Sequence, residues 1–300
     1  MRNAQAISPA LLGTRKSGRL LGLARTPGRM PSHLGFYVMA VFFSVFSFFP
    51  MLWIAISSLM PIRQITAQPL EYIPSPPTLD NYQYAFSQAP FARFYLNSTI
   101  VSLVATFFCL ILAALAGYAI ARLRFKGKQY VLVGILAASF FPPITQLIPL
   151  YNLMNKFSLL NTYWALIIPY TFHTLPMAIW LISAYLRDIP RDLEEAAMVD
   201  GTSRLGAFWR VIVPISAPGF VTAGIIVFVY NWNEFLFALT FEPNAEMRTI
   251  PVGIALYQGQ FTYPWGTIAA ATTMAVVPLV LIILIFQRRL ITGLTAGAVK

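Results

Sequence analysis

Charge is what this chain has least of. Asp, Glu, Lys and Arg make up 10% of its 300 residues against 58% hydrophobic residues, and its mean hydropathy is +0.67. A soluble domain carries about 25% charged residues, so this chain cannot hide its apolar surface from water by folding on itself. It belongs in lipid. Cysteine occurs once and histidine twice, which excludes a disulfide framework and a thiolate metal site. The two histidines are isolated and lack metal-ligand spacing, so no nucleophile–base or metal constellation is legible. Cys109 sits in an apolar run and reads as a small core hydrophobe. Acids are scarcer than bases, 10 against 21, for a net charge of +11. In a soluble chain that balance would suggest nucleic acid. Here no Lys/Arg run interleaves with exposed aromatics, and no nucleic-acid partner is expected.

Long apolar runs are what the chain does have. About 20 apolar residues cross the hydrocarbon core, and six segments qualify: Gly35–Met60, Ser98–Ala121, Tyr130–Pro149, Tyr163–Leu186, Ala217–Thr240 and Trp265–Phe286. The expected fold is all-α, a polytopic membrane protein with six transmembrane helices. Basic residues fall unevenly between them. One side takes six in the N-terminal tail, four in Arg122–Lys128, four in Arg187–Arg210 and three in the C-terminal tail. The other takes Arg63, Arg93, Lys156 and Arg248. Cytoplasmic loops carry the Lys/Arg excess, so both termini are expected in the cytoplasm of a multi-pass membrane protein. This organises the chain as a basic tail (1–34), a membrane domain (35–286) and a cytoplasmic C-terminal tail (287–300). A tail before an uncleaved first span explains residues 1–34 better than a transit peptide, because the apolar run that follows is too long. Gly13 and Gly18 have the spacing of a phosphate loop, but Arg19-Leu20 replaces the residues that would meet phosphate and metal.

The spans are not plain anchors. Ala113, Gly117 and Ala121 form a small-residue stripe that lets another helix approach closely. Pro142, Pro143 and Pro149 interrupt the third span, and Pro169 and Pro176 the fourth. Broken backbone at membrane depth is tolerated only where protein or a water-filled cavity covers it, which favours a lined pathway. Outside, Pro61–Phe94 holds six prolines and an amphipathic piece, "LDNYQYAF". The other sizeable exterior loop is Phe241–Pro264. Neither is long enough to be a ligand-capturing domain.

"RDLEEAAMVDGTSRLGAFWR", residues 191–210, is out of place between two spans. Helix connections typically take 2–8 residues, and acids here sit on the side where positive charge is usual. A docking surface for a partner fits better than a solvated connector. Asp188 and Pro190 read as a helix start, with Asp192, Glu194 and Glu195 complementing the dipole. Gly201 is a natural stop. Thr202 or Ser203 then caps a second helix with an apolar stripe of Leu205, Phe208, Trp209 and Ile212, ended by Pro214.

These residues resemble a known pattern. "EAAMVDG", with Glu195, Ala196, Ala197 and Gly201, followed by "VIVP" to Pro214, is similar to the EAA loop of membrane subunits in binding-protein-dependent ABC importers. Val211 and Val213 replace two usual aliphatics. "IPLYNLM", "YNWNEFLFALTF" and "GLTAGAVK" resemble the maltose-type second subunit of carbohydrate permeases, from about Pro74 to Lys300. The resemblance implies the ABC type I importer permease fold, with an EAA coupling loop at 187–216 docking through Glu194, Glu195, Ala196, Ala197, Asp200, Gly201 and Pro214. It also implies a tail, Gly293–Lys300, that reaches the ATPase. The implied partners are a second permease subunit, a cytoplasmic ABC ATPase dimer and an extracytoplasmic solute-binding protein in a bacterial or archaeal plasma membrane. ATP and Mg would sit on the ATPase, with no cofactor on this chain and no catalysis by it.

The implied cargo is a di- or oligosaccharide. Tyr230, Asn231, Trp232, Asn233 and Glu234 combine hydrogen-bonding groups with aromatic faces, as sugar recognition requires; Gln146, Tyr151 and Asn152 are further pathway candidates. Glu234 lies about 26 Å along its span at 1.5 Å per residue, at an outward mouth or as a structural cap. His173 reads as a helix–helix hydrogen-bond donor rather than a ligand group. A non-sugar solute such as glycerol phosphate or an osmolyte stays open. A secondary transporter would need a deep titratable residue, and no deep Asp or Glu is present.

Overall fold

The computed structural model describes residues 32–69, 71–88, 90–257 and 263–295. Among these there is no strand. The helices run α1 (Ser32–Ser58), α2 (Ile62–Ile65), α3 (Asp80–Gln88), α4 (Phe91–Arg122), α5 (Lys128–Ala138), α6 (Pro143–Lys156), α7 (Tyr163–Asp188), α8 (Asp192–Val199), α9 (Arg204–Ala207), α10 (Val213–Ile215), α11 (Ala217–Asn233), α12 (Leu236–Phe241), α13 (Ile250–Ala255) and α14 (Trp265–Thr295). Four are long and apolar enough to cross a membrane: α1, α4, α7 and α14. Two further bent pairs bring the number to six if each pair is one span. The basic tail expected at 1–34 falls largely outside the described residues, as do Ala296–Lys300 of the C-terminal tail. α14 itself runs past Phe286 to Thr295.

The chain divides into two compact units at Phe49 and Pro50. In the first, every side chain of α1 from Leu34 to Phe49 is exposed. The second is built on α4 and α7. Their contact is the small-residue stripe: Ala113 is fully buried, and a Cβ on Gly117 would stand 3.1 Å from Ile182 Cγ2 and 3.3 Å from the Ser183 backbone nitrogen. Any larger residue there would force α7 to give by a few tenths of an ångström. Thr171 Oγ1 donates across the seam to the Ala105 carbonyl (3.3 Å), and Thr174 contacts the buried Cys109 Sγ at 3.4 Å. α11 packs against this pair through Ala223 and Val227.

Two expected spans are bent instead of merely kinked. α5 and α6 meet at 88°. Pro142 is extended (φ −59°, ψ 136°) because a residue followed by proline is driven out of the helical region. At the other break, the segment Arg204–Ile215 turns through 77° into α11, and α11 stops at Asn233 before α12 begins.

Asp188 is not a cap. It is the last residue of α7, and α8 starts at Asp192 behind Arg191, which makes no side-chain cap bond. Ile189 precedes Pro190 and is extended (φ −81°, ψ 130°), so this proline ends a helix where one was expected to begin. Pro214 does not stop the second loop helix either. A π-helical turn, Phe208–Ile212, precedes it and α10 carries it. The wider turn accommodates a ring that would otherwise meet the carbonyl four residues back.

At the far end of the bundle, fully buried Asn97 ties three segments. Its Nδ2 donates to the carbonyls of Glu246 (2.8 Å) and Arg248 (2.9 Å), and its Oδ1 accepts from Tyr163 Oη (2.8 Å). The "LDNYQYAF" piece is helical as α3, and Asn81 pins it to the carbonyls of Ser58 (2.9 Å) and Met60 (2.8 Å).

Candidate functional site

The loop expected to dock a partner carries the acidic helix α8, which packs against α9 and the π-helical turn. α8 ends in a Schellman stop: Gly201 N–H donates to Met198 O and Thr202 N–H to Ala197 O, both at 3.1 Å, with Gly201 at φ +88°. That left-handed conformation carries little penalty only for glycine. Ser203 rather than Thr202 caps the next helix, accepting from Gly206 N–H at 3.1 Å. Within α8 the helical period sorts the residues. Glu195, Ala196, Val199 and Asp200 are exposed, Val199 to 87%. Ala197 and Met198 are half-buried and Glu194 is buried. Of the two glutamates expected on the docking face, Glu195 points out and Glu194 does not. Pro214 is exposed. The apolar stripe is likewise split, with Phe208 and Ile212 fully buried while Leu205 and Trp209 stay exposed.

Glu194 is buried because α4 meets it. Tyr118 Oη donates to Glu194 Oε1, Arg122 Nε stands 3.6 Å from Glu194 Oε2, and the Tyr118 ring packs on Phe208 at 4.6 Å between centroids. Neither Tyr118 nor Arg122 was expected from the sequence as part of the site. Their signal was there: they lie four residues apart, on one face, at the end of a span.

The second candidate cluster, Tyr230–Glu234, separates by helical face. Tyr230, Asn233 and Glu234 line a cavity of about 580 Å³ together with Pro143 and Leu236. Asn231 and Trp232 turn away into the protein. Asn231 Nδ2 lies 3.5 Å from Thr106 Oγ1. Trp232 Nε1 donates to the Ala275 carbonyl at 3.1 Å, with its ring edge-on to Tyr95 at 5.6 Å. Glu234 is a cap: its carboxylate accepts from Phe237 N–H (2.9 Å) and Ala238 N–H (3.2 Å) at the start of α12, and from Tyr170 Oη (2.6 Å). Asn233 Nδ2 returns to the Val229 carbonyl at 2.7 Å.

Gln146 lines a separate cavity of about 430 Å³ with Phe141, Phe172 and His173, and its Nε2 donates to the Phe141 carbonyl at 3.1 Å. His173 makes its helix–helix contact by ring stacking instead of the expected hydrogen bond. It lies 5.2 Å from the Tyr230 ring at 27° and 6.3 Å from Phe237. The stacked pair therefore stands between the two cavities, one ring facing each. Tyr151 and Asn152 line neither: Tyr151 packs toward Phe241 (6.1 Å) and Asn152 is exposed.

Comparison with known proteins identifies the family. Residues 109–295 match the family described as binding-protein-dependent transport system inner membrane component. The chain is 45% identical over 264 residues to the sulfoquinovosyl glycerol transport system permease protein SmoH of Agrobacterium fabrum, covering 88% of this chain and 93% of that one. It is 42% identical over 257 residues to the trehalose transport system permease protein SugB of Mycobacterium tuberculosis, covering 85% and 93%. A chain in the crystal structure of a bacterial ABC transporter for alginate import shares the fold at TM-score 0.74 and 19% identity, covering 85% of this chain and 95% of that one.

Proposed function

We propose that this chain, which belongs to the family of inner-membrane components of binding-protein-dependent transport systems, is the permease subunit of an ATP-driven importer for a di- or oligosaccharide. The observation that carries this reading is α8: an acidic helix with Glu195, Ala196, Val199 and Asp200 turned outward at the end of a lipid-embedded bundle. A connector has no use for such a face, and a docking partner does. The sugar class draws on the relatives, named for sulfoquinovosyl glycerol and trehalose transport, and on the aromatic and amide groups of the two cavities.

The solute would arrive from an extracytoplasmic binding protein and pass between this chain and a second permease subunit. ATP and Mg would be held by a cytoplasmic ATPase dimer, with no catalytic step on this chain. Closure of that dimer would draw two coupling helices together and rock the spans between two states. The division into a tail (1–34), a membrane domain (35–286) and a second tail (287–300) goes with both termini on the cytoplasmic side.

The test is reconstitution in liposomes with the partner subunits and the binding protein, followed by ATP hydrolysis with a panel of sugars. One or more sugars should stimulate hydrolysis. Solute movement by this polypeptide with no ATPase present would overturn the reading.

A further inference from the structure

The helical backbone of α8 continues into neither neighbour. Toward α7 the chain is extended at Ile189. Toward α9 it turns at Gly201, φ +88°. Both joints are non-helical, and a helix hung between two such joints swings when pulled unless side chains brace it. α8 is braced at one charged contact. Glu194 leaves the exposed acidic face, enters the protein and meets Tyr118 Oη and Arg122 on α4. Arg122 and Glu194 are 4% and 8% exposed at the side chain. Nε and Nη2 of Arg122 have no hydrogen-bond partner among the described residues, so Glu194 is the counter-charge that its guanidinium has. A pair removed from water is not screened as a surface pair is, and pulling it apart leaves an uncompensated buried charge. The contact is therefore stiff in the direction that matters.

What lies beyond it is rigid as well. Tyr118 and Arg122 belong to the same helix as Gly117 and Ala121, which seat α4 against α7. Phe208 of the π-helical turn closes over the Tyr118 ring. α8 and the π-helical turn thus both meet one tyrosine of α4.

We propose that Glu194, Tyr118 and Arg122 form an internal strut that makes α8 and the α4–α7 pair move as one body, so that displacement of the docking helix becomes displacement of the spans. Glu195 and its exposed neighbours grip the motor, and Glu194, one residue earlier, grips the membrane domain. These are positioning residues that touch no solute. The inference rests on the reading of α8 as the ATPase-docking helix.

The experiment uses the full complex with its partner permease and ATPase. Nitroxide labels are placed on Asp192→Cys, at the start of α8, and Arg124→Cys, just past α4, and inter-label distances are measured by pulsed electron resonance. They are read without nucleotide and with ATP, magnesium and vanadate. In the parent the distance should be the same in both states. In Glu194→Gln, nucleotide should shift it by about 5 Å, the scale of a one-turn slip. Tyr118→Phe, which keeps the ring and removes one hydroxyl, should shift it in the same direction by less and covers the case in which the first variant fails to assemble. A merely loosened fold would broaden the distances equally with and without nucleotide, and that result would overturn the strut. So would variant distances that stay at the parent value in both states. If no ATPase co-purifies with the parent, the docking reading fails and the strut with it.

Discussion

A buried polar group shows whether a side chain is doing structural or exchangeable work. Trp232 is 3% exposed, gives its N–H to the Ala275 carbonyl and joins α11 to α14, so Trp232→Ala should cost about 3–5 kcal/mol. Thermal unfolding in detergent would read this as a lowered Tm. Glu242 is the opposite case. It sits one residue beyond α12, outside the spans, 1% exposed, with neither carboxylate oxygen hydrogen-bonded among the described residues. Burial pushes its carboxyl up from 4.5 to about 8. Between those values the folded chain holds a proton that the unfolded chain has released, so stability falls as pH rises through that window and levels off above it. Glu242→Gln should remove this dependence. It should stabilise the protein by about 2 kcal/mol at pH 8 and change little at pH 4, as checked by Tm against pH.

α8 is short, and its two faces have different surroundings, with Glu194 buried and Glu195 exposed. Glu195→Lys reverses the charge on the exposed face without touching the buried Glu194. Gly201→Asp forces a side chain into φ +88°, a backbone region that glycine enters more readily than any residue with a Cβ; a Cβ there meets nothing within 4 Å, so the penalty is conformational and the added charge lies in open space. Each variant should insert in the membrane at parental levels and lose most uptake. Full uptake with the ATPase still bound would contradict the docking role. The aromatic cluster on α11 makes a related point about faces. Tyr230 and Asn233 reach a cavity while Asn231 and Trp232, in the same short run, are packing groups.

The distribution of Lys and Arg makes a claim about the whole chain, and labelling can test it. Cys109 is buried, so a membrane-impermeant maleimide should leave the parent unmodified. Asn152→Cys, exposed on α6, should react from outside intact cells. Lys126→Cys, in the loop after α4, should react only after the membrane is opened. The reverse pattern would invert the assigned orientation.

Membrane residence, four long apolar helices, the small-residue stripe and the acidic helix with its glycine stop were all legible in the residue order. Each is a local matter of apolar run length, period or backbone freedom, and Ala113, Gly117, Ala121 and Gly201 behave as their types dictate. Neither the 88° fold-back of α5 and α6 nor the transfer of Glu194 to the inside was legible. Pro142 and Pro143 show that a helix must break, but not through what angle, since the angle depends on what the two halves pack against. Two adjacent glutamates are equivalent on paper. Which one is buried depends on Tyr118 and Arg122, more than 70 residues away along the chain, and the fold brings that face of α4 under α8.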